Sequence, residues 1–514
     1  MKLLAAHALW FLACLPRWQR FRAALRDPAA AQRRVLARLL RDNRDSDFGR
    51  RHQFGAIRSP REFAARVPLA EYDDFAPAIE AARRTGRYAL ATEAPFLLEP
   101  TSGTSGTPKL IPATRTSRRE FARAIQPWIA DLYRGHPALF RGRQYWVVSP
   151  GAPVPAPLRD GAIRVGFSAD ADYLGPLARR VARRVLAPSL DEPGDLRLIS
   201  VWHPSYLAGV TDDFQPGAGA RWPQLRLVSC WTDGNARLWA ERLRGAFPGV
   251  AVQGKGLLAT EGCITIPFQG GLPCAVRSHF LEFIDARTQS VHGVSELQAG
   301  CEYSVVLTTG AGLWRCRLHD RVRVTGFIEA TPCLEFLGKD NAVSDLVGEK
   351  LSEADAAVAL AAAGAKTGIR PRFAMLVPDA GADRGAVGYD LRLELDPGVE
   401  GGADRSMAFA EAVEESLCAT NYHYLNARRL GQLRSLRPVQ QRQALQEWLA
   451  AASRTGARAG TVKIPALRTT DSRAASPLVG KADLAEGLQG CGNGDARLAR
   501  ERQLVLHADE TRRA

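Results

Sequence analysis

The chain has 514 residues, 69 basic and 54 acidic side chains, a net charge of +15 and 46% hydrophobic content. This composition excludes intrinsic disorder, a collagen-like fibre and a disulfide miniprotein. The length suffices for two or more domains, each with a core of its own and a cleft between them. Only eight of the basic residues are Lys, and the arginines are scattered from Arg17 to Arg513. A nucleic-acid footprint needs clustered charge interleaved with groove-reading or stacking groups, so no nucleic acid is expected as a partner. Nine cysteines, an odd number with no C-x-x-C pair, fit neither a zinc site nor a disulfide framework. They read as free thiols in a reducing cytosol, and the expected location is cytoplasmic.

The first element is the apolar run Leu3 to Leu15, broken only by His7. It is too short to span a bilayer, which takes about 20 residues, and it lacks a small-x-small cleavage site. It leads into Pro16, Arg17, Trp18, Arg20, Phe21 and Arg22. The expectation is a helix packed on the domain, or resting on a membrane surface, with no stable membrane insertion. From Pro28, Val35, Leu36, Leu39 and Leu40 recur at helical spacing among arginines, which predicts an amphipathic helix. Tyr145 to Val148, Leu196 to Trp202 and Gln224 to Trp231 are short apolar runs separated by helical stretches, and that alternation favours an α/β sheet domain. Glu302 to Leu307 and Val322 to Phe327 also read as strands, and Phe336 to Lys350 reads as a Gly- and charge-punctuated connection. Beyond it, Ser352 is expected to cap an Ala-rich helix ended by Gly364. Strands at Phe373 to Val377 and Tyr389 to Leu395 and helices near Met407 to Leu417 and Gln440 to Ala451 complete a small α+β unit. The domain scheme is then 1–338, a hinge at 339–350, a C-terminal unit at 351–470 and a disordered tail at 471–514 whose seven basic and seven acidic residues cancel.

Chemistry concentrates in Thr101-Ser102-Gly103-Thr104-Ser105-Gly106-Thr107-Pro108-Lys109, which follows Phe96-Leu97-Leu98. Glycines let backbone N–H groups approach an anion, hydroxyls donate and Lys supplies a point charge, the ingredients of a phosphate cradle. The frame is not that of a Walker A loop, because Gly106 is followed by Thr-Pro-Lys. The bland alternative is a flexible surface turn. Gly256-Leu257-Leu258-Ala259-Thr260-Glu261-Gly262 ends an apolar run in a hydroxyl and a carboxylate. Glu261 at such a strand end can hold Mg²⁺ beside phosphates, or is simply a solvated loop residue. In Gly312 to Phe327, Asp320 stands among four arginines at an expected turn between strands. It can accept from both ribose hydroxyls of a nucleotide, or pair with the arginines. Lys463, in Gly460-Thr461-Val462-Lys463-Ile464-Pro465, can stabilise negative charge in a closed cleft, or be an exposed strand residue.

In this order, the four stretches resemble the adenylate-forming enzymes, and within them the auxin-responsive Gretchen Hagen family of acyl acid amido synthetases. The carriers are the loop running into Lys109-Leu110-Ile111-Pro112, Ala259-Thr260-Glu261, Leu313-Trp314-Arg315 through Asp320 to Val324-Thr325-Gly326-Phe327, and Phe336-Leu337-Gly338-Lys339 leading to Gly348-Glu349-Lys350-Leu351. Upstream, Gln32, Leu36, Asn43, Phe48, Gly49, Val67-Pro68-Leu69 and Tyr72 are similar too, so the resemblance covers residues 30 to 467. Three positions depart from the family's habit: Thr260 stands where a second Ser is common, His319 where Gly precedes the Asp, and Lys339 where Arg is usual.

The resemblance implies a large N-terminal α/β domain of the adenylate-forming type, binding ATP and acyl acid, with a smaller mobile C-terminal α+β lid. It implies two-step chemistry in which a carboxylic acid and ATP give an acyl-adenylate, and an amine, an amino acid by default, takes the acyl group. Ser102, Gly103, Thr104, Ser105, Gly106 and Lys109 would hold the phosphates, Thr260 and Glu261 would serve the α-phosphate and Mg²⁺, and Asp320 would take the ribose. Lys463 would meet the adenylate when the lid closes and act with Lys109 and Glu261 in catalysis, while Lys339 would lie at the hinge. Two alternatives share the first half-reaction's residues: a ligase that passes the acyl group to a thiol such as coenzyme A, and a catalytically silent nucleotide or acyl-acid binding protein.

Overall fold

The computed structural model describes residues 2–101, 109–146, 161–166, 181, 184–187, 189–190, 194–211, 218–379, 387–396, 402–454 and 462–469. The expected tail at 471–514 lies outside them.

Helix α1 (Lys2–Ala24) extends the apolar run through Pro16, because Trp18, Phe21 and Ala24 continue the buried face begun by Ala6, His7, Trp10 and Cys14. Tertiary packing thereby outweighs the roughly 3 kcal/mol that an interior proline costs a helix. Helix α2 (Pro28–Asp42) starts where expected, with the Asp27 carboxylate accepting from Ala30 N and Pro28 in the first turn. Its Gln32 is buried and donates to the carbonyls of Val276 and His279 while accepting from Leu281 N, which ties the helix to the sheet beneath it. Short helices α3 (Asp47–Arg51) and α4 (Pro60–Arg66) lead to α5 (Tyr72–Thr85). An antiparallel pair follows, β1 (Leu97–Pro100) with β2 (Leu110–Ala113), and then α6 (Arg115–Gly135), which carries α1 on its surface.

The predicted α/β alternation is present as a four-stranded parallel sheet in the order β3 (Arg143–Trp146), β4 (Leu196–Ser200), β5 (Leu227–Cys230) and β6 (Ala251–Gly254), with α7 (Ala236–Ala246) joining the last two. A second, antiparallel sheet is built from β7 (Phe280–Asp285), β8 (Val291–Gly293), β9 (Glu302–Thr308), β10 (Cys316–Ile328) and β11 (Thr331–Lys339), in the order β11-β10-β9-β7-β8. The expected turn around Asp320 is absent. That residue lies inside the continuous β10, where the register against β9 shifts between Arg317 and Arg321 and His319 takes φ +59°. A bulge re-aims one side chain without ending the strand, and the sequence around it reads like a turn.

The chain continues through the short pair β12 (Val343–Ser344) and β13 (Leu351–Ser352) into α8 (Glu353–Thr367), then β14 (Phe373–Asp379), β15 (Gly388–Glu394), α9 (Gly402–Thr420), α10 (Tyr422–Arg429), β16 (Arg437–Gln440) and α11 (Ala444–Arg454). Ser352 caps α8 as expected, but the helix passes Gly364 and ends at Gly368, which takes φ +69°. Gly364 is buried inside the helix, where a Cβ would make only ordinary contact with Leu238 and the Ile369 carbonyl at 3.5 Å. Apolar residues gather into two cores. One spans Ala6 to Leu334, and the other joins Leu351 to Leu467 with Leu238 of α7. The buried guanidinium of Arg242, also on α7, donates to Asp396 at 2.7 Å and to the Arg370 carbonyl at 2.9 Å, stitching the two together. No helix among the described residues is long and apolar enough to cross a membrane.

Candidate active site

Ser102, Gly103, Thr104, Ser105 and Gly106 lie outside the described residues, but both ends of their loop are placed. Thr101 N donates to the Lys109 carbonyl at 2.8 Å, closing the neck across the β1–β2 pair. Tyr72, at the start of α5, accepts from Leu110 N at 2.7 Å and reaches the Leu110 carbonyl at 3.1 Å. Its ring lies 5.1 Å under the Lys109 ammonium, a cation–π contact that steadies the lysine where the loop ends. Burial, with Asp73 and Glu261 adding to it, pushes the Tyr72 hydroxyl up to about 12, so it remains a neutral hydrogen-bonding group.

Thr260 and Glu261 form the tip of a tight turn and do not sit on a strand. Ala259 N donates to the Gly262 carbonyl at 3.0 Å, and Gly262 N returns a bond to Ala259 at 3.2 Å. Gly262 is required there, since a Cβ would come within 2.8 Å of the buried His279 ring. The turn faces a narrow cleft lined by Glu99, Ile111, Ala113, Phe121, Thr309 and Leu313, among others.

Asp320 is 3% exposed and pairs directly across β10 and β11 with Lys339, whose ammonium sits 2.8 Å from its carboxylate and donates also to the Leu318 carbonyl. Lys339, expected in a connecting hinge, is the last residue of β11. Beside it, His319 points both ring nitrogens at carboxylates, Nδ1 at Asp340 (2.7 Å) and Nε2 at Glu71 (2.6 Å). Asp340 accepts in addition from Ser304 Oγ. The Asp340 bond, opposed by burial and aided by Glu71, holds His319 above the ordinary imidazole range. Burial works against ionisation of Asp340, but the bonds from His319 and Ser304 prevail and keep it below the ordinary carboxylate range.

The other motif residues have structural duties. Trp314 is fully buried and donates to the Leu90 carbonyl at 2.8 Å, and Arg315 pairs with Glu282 and caps the carbonyls of Ala64 and Val67. Gly338 runs against α8, where a Cβ would lie 2.9 Å from Ala354 backbone. Glu349 is buried and accepts from Leu346 N and Val347 N and from the Tyr389 hydroxyl.

Lys463 is held from both sides. Trp448 of α11 donates to its carbonyl at 3.1 Å, Asn235 at the start of α7 donates to the next carbonyl, that of Ile464, and the Lys463 ammonium lies 4.9 Å over the Trp231 ring. The residue is exposed to solvent, yet protein atoms crowd its ammonium. That enclosure first, and the charge of Lys339 second, hold Lys463 below the ordinary ammonium range against the pull of Asp320, Glu353 and Glu261. The same three carboxylates act on Lys339, where they outweigh burial and hold it high.

The structure thus brings Glu261, Asp320, Lys339 and Lys463 within electrostatic reach of one another, with Lys109 and Glu261 both acting on Cys316, Tyr72 against Lys109 and Trp231 against Lys463. Cys316 is buried and feels Glu261, Lys109, Glu71 and Lys339, and burial pushes its thiol up to about 12, leaving it inert. Sequence reasoning did not assign roles to Glu71, Trp231, Asp340 or Glu353, because each is far along the chain from the motif it serves. Among the described residues no three His, Cys, Asp or Glu side chains are grouped to hold a metal ion. All eight described cysteines are free.

The model of the GH3 family N-terminal domain matches residues 17–150, and that of the GH3 family central domain matches residues 272–339. A probable indole-3-acetic acid-amido synthetase of Oryza sativa subsp. japonica, GH3.12, is 26% identical over 233 residues, 38% of this chain, and the match spans 36% of that protein. A putative indole-3-acetic acid-amido synthetase of the same plant, GH3.10, is 23% identical over 413 residues, 68% of this chain and 86% of that protein. Among solved structures, the GH3.15 acyl acid amido synthetase superposes with a TM-score of 0.73 at 17% identity, over 88% of this chain and 94% of that one. The first domain model reaches from α1 to just past β3 and the second from just before β7 to Lys339, so the Lys109 hairpin and the Asp320–Lys339 pair fall within them. Residues 17–150 and 272–339 are thus similar to the N-terminal and central domains of the GH3 family, and the chain has the α/β fold of the GH3.15 acyl acid amido synthetase.

Proposed function

We propose that the protein is an ATP-dependent acyl acid amido synthetase, and the observation that carries this reading is the gathering of Lys109, Glu261, Asp320, Lys339 and Lys463 into one charged neighbourhood. In the first step a carboxylate oxygen of the acid attacks the α-phosphorus of ATP and pyrophosphate leaves. In the second an amine attacks the acyl carbon, AMP leaves and the amine nitrogen loses a proton. Neither step needs a protein nucleophile. Both need positioned cations and donors where negative charge grows.

Lys109 and the backbone of the 102–106 loop would receive the β- and γ-phosphates, with Tyr72 holding the lysine in line. Asp320 would turn its carboxylate to the ribose hydroxyls, kept in place by Lys339. Lys463 would neutralise charge between the attacking carboxylate and the α-phosphate, and its lowered proton affinity reflects the protein crowded around its ammonium and the like charge of Lys339. Magnesium asks for one or two carboxylates and completes its shell with water and phosphate oxygens, a demand that the half-buried Glu261 at a turn tip fits, with the exposed Thr260 beside it. Bound there, it would neutralise phosphate charge. We take 1–338 as the nucleotide- and acid-binding body, 339–350 as the hinge and 351–470 as the lid that carries Lys463. A cytoplasmic location accords with the free thiols. The related plant enzymes are named for indole-3-acetic acid and jasmonoyl substrates, and an amino acid is accordingly the proposed acceptor.

The test is pyrophosphate release from ATP and Mg²⁺ across aryl, indole and fatty acids, with and without pooled amino acids, comparing the natural chain with Lys109→Ala and Asp320→Ala. Acid-dependent release lost in both variants, and amide product on adding amino acids, are expected. ATP binding without release for any acid would turn the assignment toward a silent binding protein.

A further inference from the structure

The outer face of α1 is apolar for four turns. Leu4, Leu9 and Leu12 are 52%, 55% and 57% exposed, and Ala5, Ala13 and Pro16 stand open beside them. These residues have no room to turn inward, because the opposite face is fastened. His7 bonds the Tyr133 hydroxyl at 2.7 Å and the Gly142 carbonyl at 2.9 Å, and Trp18 donates to Asp131 at 2.9 Å. The helix contains no acidic residue.

One edge of this face, Leu9, Ala13 and Pro16, continues at helical spacing into the exposed Arg20. Arg20 belongs to a group of six arginines drawn from three helices and one turn. Arg277 lies in the field of Arg17, Arg20, Arg34 and Arg123, and Arg38 in that of Arg123 and Arg277. The carboxylates nearby are Asp42 and Glu120. Of these, Glu120 is buried and already accepts from Gly310 N. One Arg123 nitrogen is buried with no partner. Guanidiniums gathered with so little counter-charge favour an anion, and leucines beside them favour an apolar layer.

We propose that the outer face of α1 and its arginine edge form a docking surface for an anionic phospholipid membrane. The leucines would enter the boundary between headgroups and acyl chains, and the arginines would take lipid phosphates. A second copy of the chain is a poorer occupant: an isologous contact offers α1 another α1, which brings the same arginines and no carboxylate.

The experiment is co-sedimentation of the full chain with phosphatidylcholine vesicles, with and without phosphatidylglycerol, at low and high salt. Binding to the anionic vesicles alone, weakened by salt, is expected. Leu4→Gln/Leu9→Gln/Leu12→Gln should abolish it. Arg20→Gln/Arg277→Gln should weaken it roughly 25-fold, at about fivefold for each charge near the surface. Both variants should keep the unfolding midpoint of the natural chain. Failure of the natural chain to bind anionic vesicles, equal binding to neutral ones, or binding unaffected by both sets of substitutions would each overturn the proposal. So would a dimer in light scattering that the leucine variant breaks in the absence of vesicle binding.

Discussion

His319 offers a test of the site's electrostatics that needs no substrate. Both its ring nitrogens face carboxylate oxygens, at 2.7 and 2.6 Å, and an ionised carboxylate only accepts, so the bridge is complete only when the ring is an imidazolium. Loss of the proton turns one bond into a lone pair facing a carboxylate. The Asp340 side, with His319 15% and Asp340 25% exposed, carries a charge-assisted bond worth about 1.5–3 kcal/mol. The Glu71 side is 43% exposed and screened, and contributes under about 1 kcal/mol. Deprotonation should therefore cost the β10–β11 corner about 2 kcal/mol of resistance to local opening. The folded-state pKa of His319 is raised, so this stability is fully present below about 6.5 and lost as pH rises through the raised value. Asp340 is held low, so its share is present above about 3.8 and lost only as pH falls through the lowered value. Hydrogen-exchange protection of Asp340 N, which donates to the His319 carbonyl at 2.9 Å, reads the opening directly. The natural chain should lose about thirtyfold in protection factor from pH 5.5 to well above the raised value, and His319→Gln should show a flat, lower profile. A flat profile in the natural chain, or an equal fall in the Gln variant, would refute the bridge.

Three further outcomes are expected. Lys463→Ala should cut pyrophosphate release about 100-fold or more while the thermal unfolding midpoint is kept, and in the natural chain the alkaline fall in rate should come earlier than an ordinary lysine, near 10.5, would give, because Lys463 is held low. A profile with no alkaline limb below that value would remove Lys463 from the step. Tyr72→Phe deletes the hydroxyl that bonds both backbone groups of Leu110, and leaving Leu110 N unsatisfied should cost about 1–3 kcal/mol in urea unfolding and raise the KM for ATP. Gly262→Ala forces a Cβ to within 2.8 Å of His279 and 3.0 Å of Leu307, an overpacking that should lower stability by about 1–3 kcal/mol; an unchanged melting curve would show that the turn relaxes.

Local patterns were legible in the sequence wherever physics acts over a few residues. The run of glycines and hydroxyls from Thr101 to Lys109, the Asp27-Pro28 start of α2 and the Ser352 cap of α8 each have a short-range cause, and the periods of α2 and of strands β4, β5, β9 and β14 report burial on one or both faces. The α/β class followed from their alternation. Other features were hidden because their cause lies in a distant partner. Helix α1 runs through Pro16 because α6 covers the residues beyond it, and α8 runs past Gly364 because residues on both sides of that glycine, the buried face of the helix before it and Ile369 after it, pack into the second core. Asp320 stays within a continuous strand because β9 and β11 pair with it on either side of a bulge.

The sequence alone determined which chemical groups the protein owns: a loop able to cradle phosphate, a hydroxyl–carboxylate turn, an aspartate and a late lysine, in an order that resembles that of the acyl acid amido synthetases. Only the tertiary structure decided how those groups meet. Trp231 beneath Lys463, Tyr72 beneath Lys109, Lys339 against Asp320, and Glu71 with Asp340 around His319 are contacts between residues from 19 to 248 positions apart. No periodicity or spacing encodes such pairs, because strand register and the docking of helices on sheets set them, and these follow from burial of the whole core rather than from any one segment.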